Sequence, residues 1–488
     1  MVFHVDFTRN HPGQSSDYPL NSYVLFLICY HDVRNAIVPT MLAKLNLENF
    51  KNFKDAELHL GPFTLLVGEN ASGKSNIRDA LRFLHGIARG YNVAEVFGEV
   101  WAEGGVLQWK GIRGGMREAA FMDEPSFSIG VSFINLSQPE YPTINLENAE
   151  IDYALGIKVE NNKSTSNLIF ESMSISKKSE SLFDDILLGE EESQSKHLNN
   201  AFIYRAKQVL VNLYLDKSEI FLKSLAKSLN SNKETIIVNF FNELENNTEL
   251  YTILQLASDM NSILKSIRFF DFNPDAMRSP SFPGQAILGD RGENLSSVLY
   301  EICQDEQQKA ILVSWLKKLT PMDVVDLDFV FEYSGKVLLL LVEESGEKIS
   351  AYSASDGTLR FLGFLAAMLN PKEANKIAFF EELENGIHPT RLYLLVQLIE
   401  QTAAKNNTQV IATTHSPQLL RMLNEDSLES ASLVYRLPDR KDARIKRIVD
   451  IPDARRAIDN EDLGRLQESG WLEDAVYFTE PDAEEDED

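Results

Sequence analysis

The sequence predicts an α/β protein: a mixed β-sheet with flanking helices, an antiparallel β subdomain and an inserted helical section. Three observations carry this. An apolar strand, Thr64–Val67, runs into a glycine-rich loop and then an amphipathic helix, Asn76–His85. After residue 320, three strand-like runs joined by Ser-Gly turns lead into alternating helix and strand, the pattern of a parallel sheet. Between these regions, residues 126–175 read as strands, and 200–266 carry apolar residues three and four apart, as helices do.

Composition bounds what such a fold can be. The chain has 488 residues, 44% hydrophobic and 25% charged, which suits a globular protein with a large core. Its two cysteines, Cys29 and Cys303, exclude a disulfide framework and belong to no metal-like cluster, so a reducing cytoplasm is expected. The net charge of −26 repels a polyanion on average, so broad nucleic-acid affinity is not indicated. The apolar run Tyr23–Tyr30 is far shorter than the roughly 20 residues needed to cross a bilayer, so no membrane partner is expected.

From Met41 the chain alternates apolar and polar residues over two short strands and resembles a natural protein start. Residues 1–40 are expected to be an N-terminal extension from the gene model; an accessory arm is the alternative. Residues 41–175 should form the first part of the core domain. Residues 176–270 should be an insertion, loop-like to about 200 and then mainly helical. Residues 271–478 should complete the core domain, and 479–488 should be an acidic disordered tail.

The loop Gly68-Glu69-Asn70-Ala71-Ser72-Gly73-Lys74-Ser75, with Asn76 opening the helix, matches the spacing of a phosphate-binding loop. Glycines at 68 and 73 let successive N–H groups turn toward one anion, and the helix N-terminus adds its partial positive charge. Lys74 should reach the β- and γ-phosphates of ATP, and the Ser75 hydroxyl should bind Mg²⁺.

A second apolar strand, Lys376–Phe380, ends in Glu381 and Glu382 and is expected beside the phosphate loop. The first acid is assigned to magnesium and the second to the attacking water. Position 381 is usually Asp in such ATPases; Glu is one methylene longer, which shifts the metal contact. Ser355-Asp356-Gly357-Thr358 precedes an apolar helix and offers a capped N-terminus to an anion, although such a turn is a common helix cap. His415 ends the strand in Val410–Pro417, where an imidazole can hydrogen-bond the γ-phosphate and water. Alone, each is weak. Their order decides: phosphate loop, long insertion, Ser355 segment, acids, histidine, which is the order of ABC ATPases.

The segments GENASGKSN, ASDGTLRFL, FFEELENGIHPTRL and ATTHSPQLL resemble the ABC-type AAA family ATPases related to RecF, SMC and OLD proteins. DFNPDAMR at 271–278, LGDRGENLSSVL at 288–299 and GWLEDAVYF at 470–478 are similar too. The resemblance implies an ABC-type P-loop NTPase head acting as a head-to-tail homodimer or higher oligomer. Each site then joins Gly68–Ser75, Glu381, Glu382 and His415 of one subunit to Ser355 and Gly357 of the other. It also implies a glutamine near Mg²⁺, for which Gln108 is the best placed. The residues after His415 are too few for the TOPRIM nuclease of OLD proteins, and Asp326-Leu327-Asp328 reads as exposed acids on a half-buried strand.

The function expected from this resemblance is a nucleotide-driven switch controlling a separate effector, a nuclease or toxin from a neighbouring gene, in anti-phage defence. The alternative is a RecF/SMC-like repair ATPase that binds DNA directly. A transporter subunit fits poorly, because the Ser355 segment lies so far from the phosphate loop.

Overall fold

A computed structural model describes residues 40–135, 150–159, 166–177, 180–189, 259–319 and 324–479, apart from 374–375, 407, 439 and 457–469. The expected extension, the acidic tail and most of the expected helical section lie outside the described residues. Twelve strands form one sheet in the order β10-β14-β15-β3-β16-β17-β2-β1-β6-β7-β8-β9. The strands are β1 (Thr40–Phe50), β2 (Phe53–His59), β3 (Phe63–Val67), β6 (Ser126–Asn135), β7 (Glu150–Val159), β8 (Ser166–Lys177), β9 (Glu180–Gly189), β10 (Ile267–Phe270), β14 (Ile377–Phe380), β15 (Gln409–Thr414), β16 (Ser432–Arg436) and β17 (Ala443–Arg447). A hairpin, β4 (Val100–Ala102) with β5 (Val106–Trp109), stands apart from it.

The half from β10 to β16 is parallel. Its strands are mostly apolar because both faces are covered. In β3, Phe63, Leu65 and Val67 enter one core while Leu66 enters the other. In β14, Ala378 and Phe380 divide in the same way from Ile377 and Phe379. The first core also takes the apolar faces of α2 (Leu295–Ile302), α3 (Glu306–Leu319), α4 (Asp356–Leu369) and α5 (Pro389–Asn406). The second takes Ile77, Ala80, Leu81, Leu84 and Ile87 of α1 (Lys74–Ala88), one stripe at helical spacing.

The half from β2 to β9 is antiparallel, the expected β subdomain. The three-stranded sheet of β11 (Val324–Phe331), β12 (Val337–Glu343) and β13 (Lys348–Ser350) matches the three runs after residue 320. There Leu327 is buried, while Asp326 and Asp328 pair with Lys309 at 3.0 Å and Lys348 at 2.6 Å. These acids are ordinary outward-facing ion pairs.

Three expectations are corrected. Residues 180–189 form β9, paired with β8, where a loop is expected; the apolar residues of LFDDILL outweigh the polar flanks. Residues 267–270 belong to the central sheet rather than to the insertion. The acidic strand β14 is not next to β3: β15 lies between them, parallel to both and buried along its whole length. The strand that ends in His415 therefore separates the phosphate loop from the acids.

Candidate functional site

The phosphate-binding segment turns from β3 into α1 through backbone that only glycine adopts easily. Gly68 has φ 151° and Gly73 φ 124°. A Cβ at 68 would stand 2.1 Å from the Val434 carbonyl oxygen, and one at 73 would stand 2.9 Å from the Phe53 ring. Asn52, in the turn between β1 and β2, holds the loop from outside. Its Nδ2 donates to the Ser72 carbonyl at 3.3 Å, and its Oδ1 accepts from Asn76 Nδ2 at 2.7 Å. Nothing local in the sequence marks Asn52 for this contact, because only the fold brings that turn to the loop.

Lys74 is 7% exposed, and its Nζ donates to the carbonyls of Gly68 at 2.6 Å and Glu69 at 2.8 Å. Burial lowers its pKa to about 8, against the attraction of Glu382, Glu384 and Glu69. The Ser72 hydroxyl is buried with no partner. A buried cation, an unsatisfied hydroxyl and two glycines with no room for a Cβ fit a phosphate chain.

The two acids diverge at the end of β14. Glu381 Oε2 accepts from Arg78 Nη1 of α1 at 3.0 Å. Arg78 was not singled out in the sequence, although it stands one helical turn after Lys74. Glu382 has φ 47°, a left-handed conformation rare for a side-chain-bearing residue, and its N–H donates to Thr413 Oγ1 at 2.9 Å. Its Oε1 lies 4.0 Å from His415 Nε2. The oxygen donors Ser75 and Glu381 suit a hard cation such as Mg²⁺, with Glu381 Oε1 left over from the Arg78 pair.

Ser355 caps α4, its Oγ accepting from Thr358 N–H at 3.2 Å. The cap is exposed, and among the described residues no hydrogen bond joins it to Gly68–Ser75. Arg278 braces it by donating to Asp356 Oδ1 at 2.5 Å and the Ala354 carbonyl at 3.2 Å. Gly357 lies against the turn after the acids: a Cβ there would stand 2.9 Å from the Gly386 carbonyl oxygen. Gln108 is exposed on β5, and no hydrogen bond links it to Lys74, Ser75 or Glu381. Its neighbour Trp109 packs on His85 and Arg82, toward the far end of α1.

Residues 63–421, which hold the loop at 68–75, the Ser355 cap, the two acids and His415, match the family model described as "AAA domain, putative AbiEii toxin, Type IV TA system". The chain belongs to this family. The sheet of this AAA-family chain has a parallel half carrying the motifs and an antiparallel half beside it. Among curated proteins, an "ATP/GTP phosphatase" of Helicobacter pylori is 21% identical over 391 residues, covering 79% of this chain and 88% of that protein. "Structural maintenance of chromosomes protein 1" of Arabidopsis thaliana is 44% identical over 52 residues, 10% of this chain and only 4% of that protein. Among solved structures, an Smc head bound to the C-winged helix domain of ScpA has TM-score 0.41 at 13% identity, covering 83% of this chain and 97% of that one. The SMC head domain from Thermotoga maritima has TM-score 0.34 at 12% identity, covering 83% and 98%.

Proposed function

We propose that this AAA-family chain binds ATP with Mg²⁺, hydrolyses it, and uses the cycle as a dimer switch controlling a separate effector, a nuclease or toxin, in anti-phage defence in the cytoplasm. The observation that carries the ATPase reading is the convergence of three strand ends: β3 delivers Lys74, β14 delivers Glu382 and β15 delivers His415, with Glu382 and His415 4.0 Å apart. Among the described residues no helix is long and apolar enough to cross a membrane.

In this reading Lys74 leaves the Gly68 and Glu69 carbonyls to bind the β- and γ-phosphates. Ser75 and Glu381 hold Mg²⁺, which neutralises phosphate charge. Glu382 orients and deprotonates the attacking water, and His415 hydrogen-bonds the γ-phosphate. Ser355 and Gly357 of a second copy close the site, presenting a helix N-terminus to the γ-phosphate. Lys74→Ala should abolish ATP binding or turnover in the purified protein, together with any phage protection in cells. Hydrolysis at the normal rate by that variant would refute the site.

The second reading, a DNA-dependent ATPase of the RecF/SMC kind, draws on the short likeness to the chromosome-maintenance protein. Stimulation of hydrolysis by DNA would favour it; the net charge of −26 weighs against it.

A further inference from the structure

A third carboxylate stands in the same loop. Three hydrogen bonds stitch the turn after β14 to the end of β15: Glu382 N–H to Thr413 Oγ1 at 2.9 Å, Leu383 N–H to the Thr413 carbonyl at 3.1 Å, and His415 N–H to Glu384 Oε1 at 2.8 Å. The first two stop at Thr413. Among the described residues of this turn, only Glu384 hydrogen-bonds the His415 main chain. Its other oxygen, Oε2, is buried with no hydrogen-bond partner. A buried carboxylate oxygen without a donor weakens a fold. A glutamine of nearly the same shape could accept from the same N–H and carry no buried charge. Stability therefore does not explain a glutamate here.

We propose that Glu384 is a positioning residue for hydrolysis: Oε1 fixes the His415 main chain against the catalytic-acid loop, and Oε2 is an acceptor held for a donor that arrives with the bound nucleotide. The proposal rests on the ATPase reading. Glu384 lies close enough to Lys74 for its charge to be felt there. The turn that carries Glu384 continues to Gly386, whose carbonyl meets Gly357 at the start of α4. Glu384 thus sits where the acid loop, the histidine strand and the Ser355 helix meet.

The test compares single-turnover hydrolysis, ATP affinity and thermal unfolding in full-length variants. Glu384→Gln should melt no lower than the wild type and bind ATP within about threefold, yet hydrolyse it at least tenfold more slowly, because an amide N–H₂ replaces Oε2. Glu384→Ala should be slower still, on the order of 10²-fold. In a His415→Ala background, Glu384→Ala should cost no more than Glu384→Gln costs in the wild type, because the Oε1 contact then has no imidazole to position and only the loss of Oε2 remains. Full additivity of Glu384→Ala with His415→Ala would overturn the positioning role. Wild-type turnover by Glu384→Gln would overturn the role of Oε2. If Glu384→Ala does not fold, the cycle is run with Glu384→Asp, which cannot reach His415. Lys74→Ala separates the two levels: if it is inactive while every Glu384 variant is normal, only this inference fails.

Discussion

At the residue scale, Glu382 carries most of the chemical argument. It adopts φ 47° at the tip of a strand, a conformation that costs an L-residue on the order of 1–3 kcal/mol. Its N–H bond to Thr413 and the neighbouring Leu383 bond hold it there, so its carboxylate faces His415 rather than continuing the strand. Glu381 points the other way, to Arg78. This divergence supports distinct roles for the two acids. Glu382→Gln should leave ATP bound and slow its hydrolysis by roughly 10²–10⁴-fold, the usual loss of a general base. Nucleotide trapping on the purified variant measures this. If Glu381→Gln traps ATP instead and Glu382→Gln is harmless, the roles are reversed.

At the element scale, α1 does two jobs. Its first turn presents Lys74 and Ser75, and its last turns anchor the helix through His85. That imidazole is 7% exposed, packs between Trp109 and Phe269, and donates Nδ1–H to the Leu264 carbonyl at 2.9 Å. Burial, aided by nearby Arg89, Arg268 and Arg82 and opposed by the Leu264 bond, lowers its pKa from 6.5 to about 4. The sign follows from linkage. The unfolded chain binds a proton near pH 6.5 that the folded chain refuses until about pH 4. The contribution is fully present above pH 6.5 and is lost as pH falls toward 4, on the order of 3 kcal/mol in all. His85→Gln should therefore flatten the fall in unfolding free energy between pH 7 and 5, measured by denaturant titration. An unchanged slope would mean that His85 is charged in the fold.

At the scale of the whole molecule, the Ser355 cap is exposed, with no hydrogen bond to the phosphate loop of its own chain. Asp356 and Ala354 are braced by Arg278, so the cap is a rigid surface and not a loose turn. In the proposed dimer, a second copy uses it. Mixing Lys74→Ala subunits with Ser355→Arg subunits should then restore one complete site in each heterodimer, seen as ATP trapping by the mixture and not by either variant alone. Full-rate hydrolysis by a strict monomer, or no effect of Ser355→Arg, would remove the dimer from the mechanism and leave the phosphate loop standing.

The sequence by itself determined the elements whose signal is local. The loop at 68–75 is legible because its glycines, lysine and serine all act within one turn of chain. The strands before Glu382 and His415 are legible because strands buried on both faces carry a continuous apolar run, Ile377–Phe380 and residues 410–412. The cap at Ser355 follows from a side chain bonding three residues ahead. What only the tertiary structure decided is contact between residues distant in the chain. It placed β15 between β3 and β14, brought Asn52 under Ser72, gave Glu381 to Arg78 and tied Glu384 to His415. It left Gln108 on an outer hairpin. Local sequence records backbone preference and burial. Pairing between strands, and the short polar contacts at their ends, are set by how helices of fixed length return the chain across the sheet, and no spacing of residues spells that out.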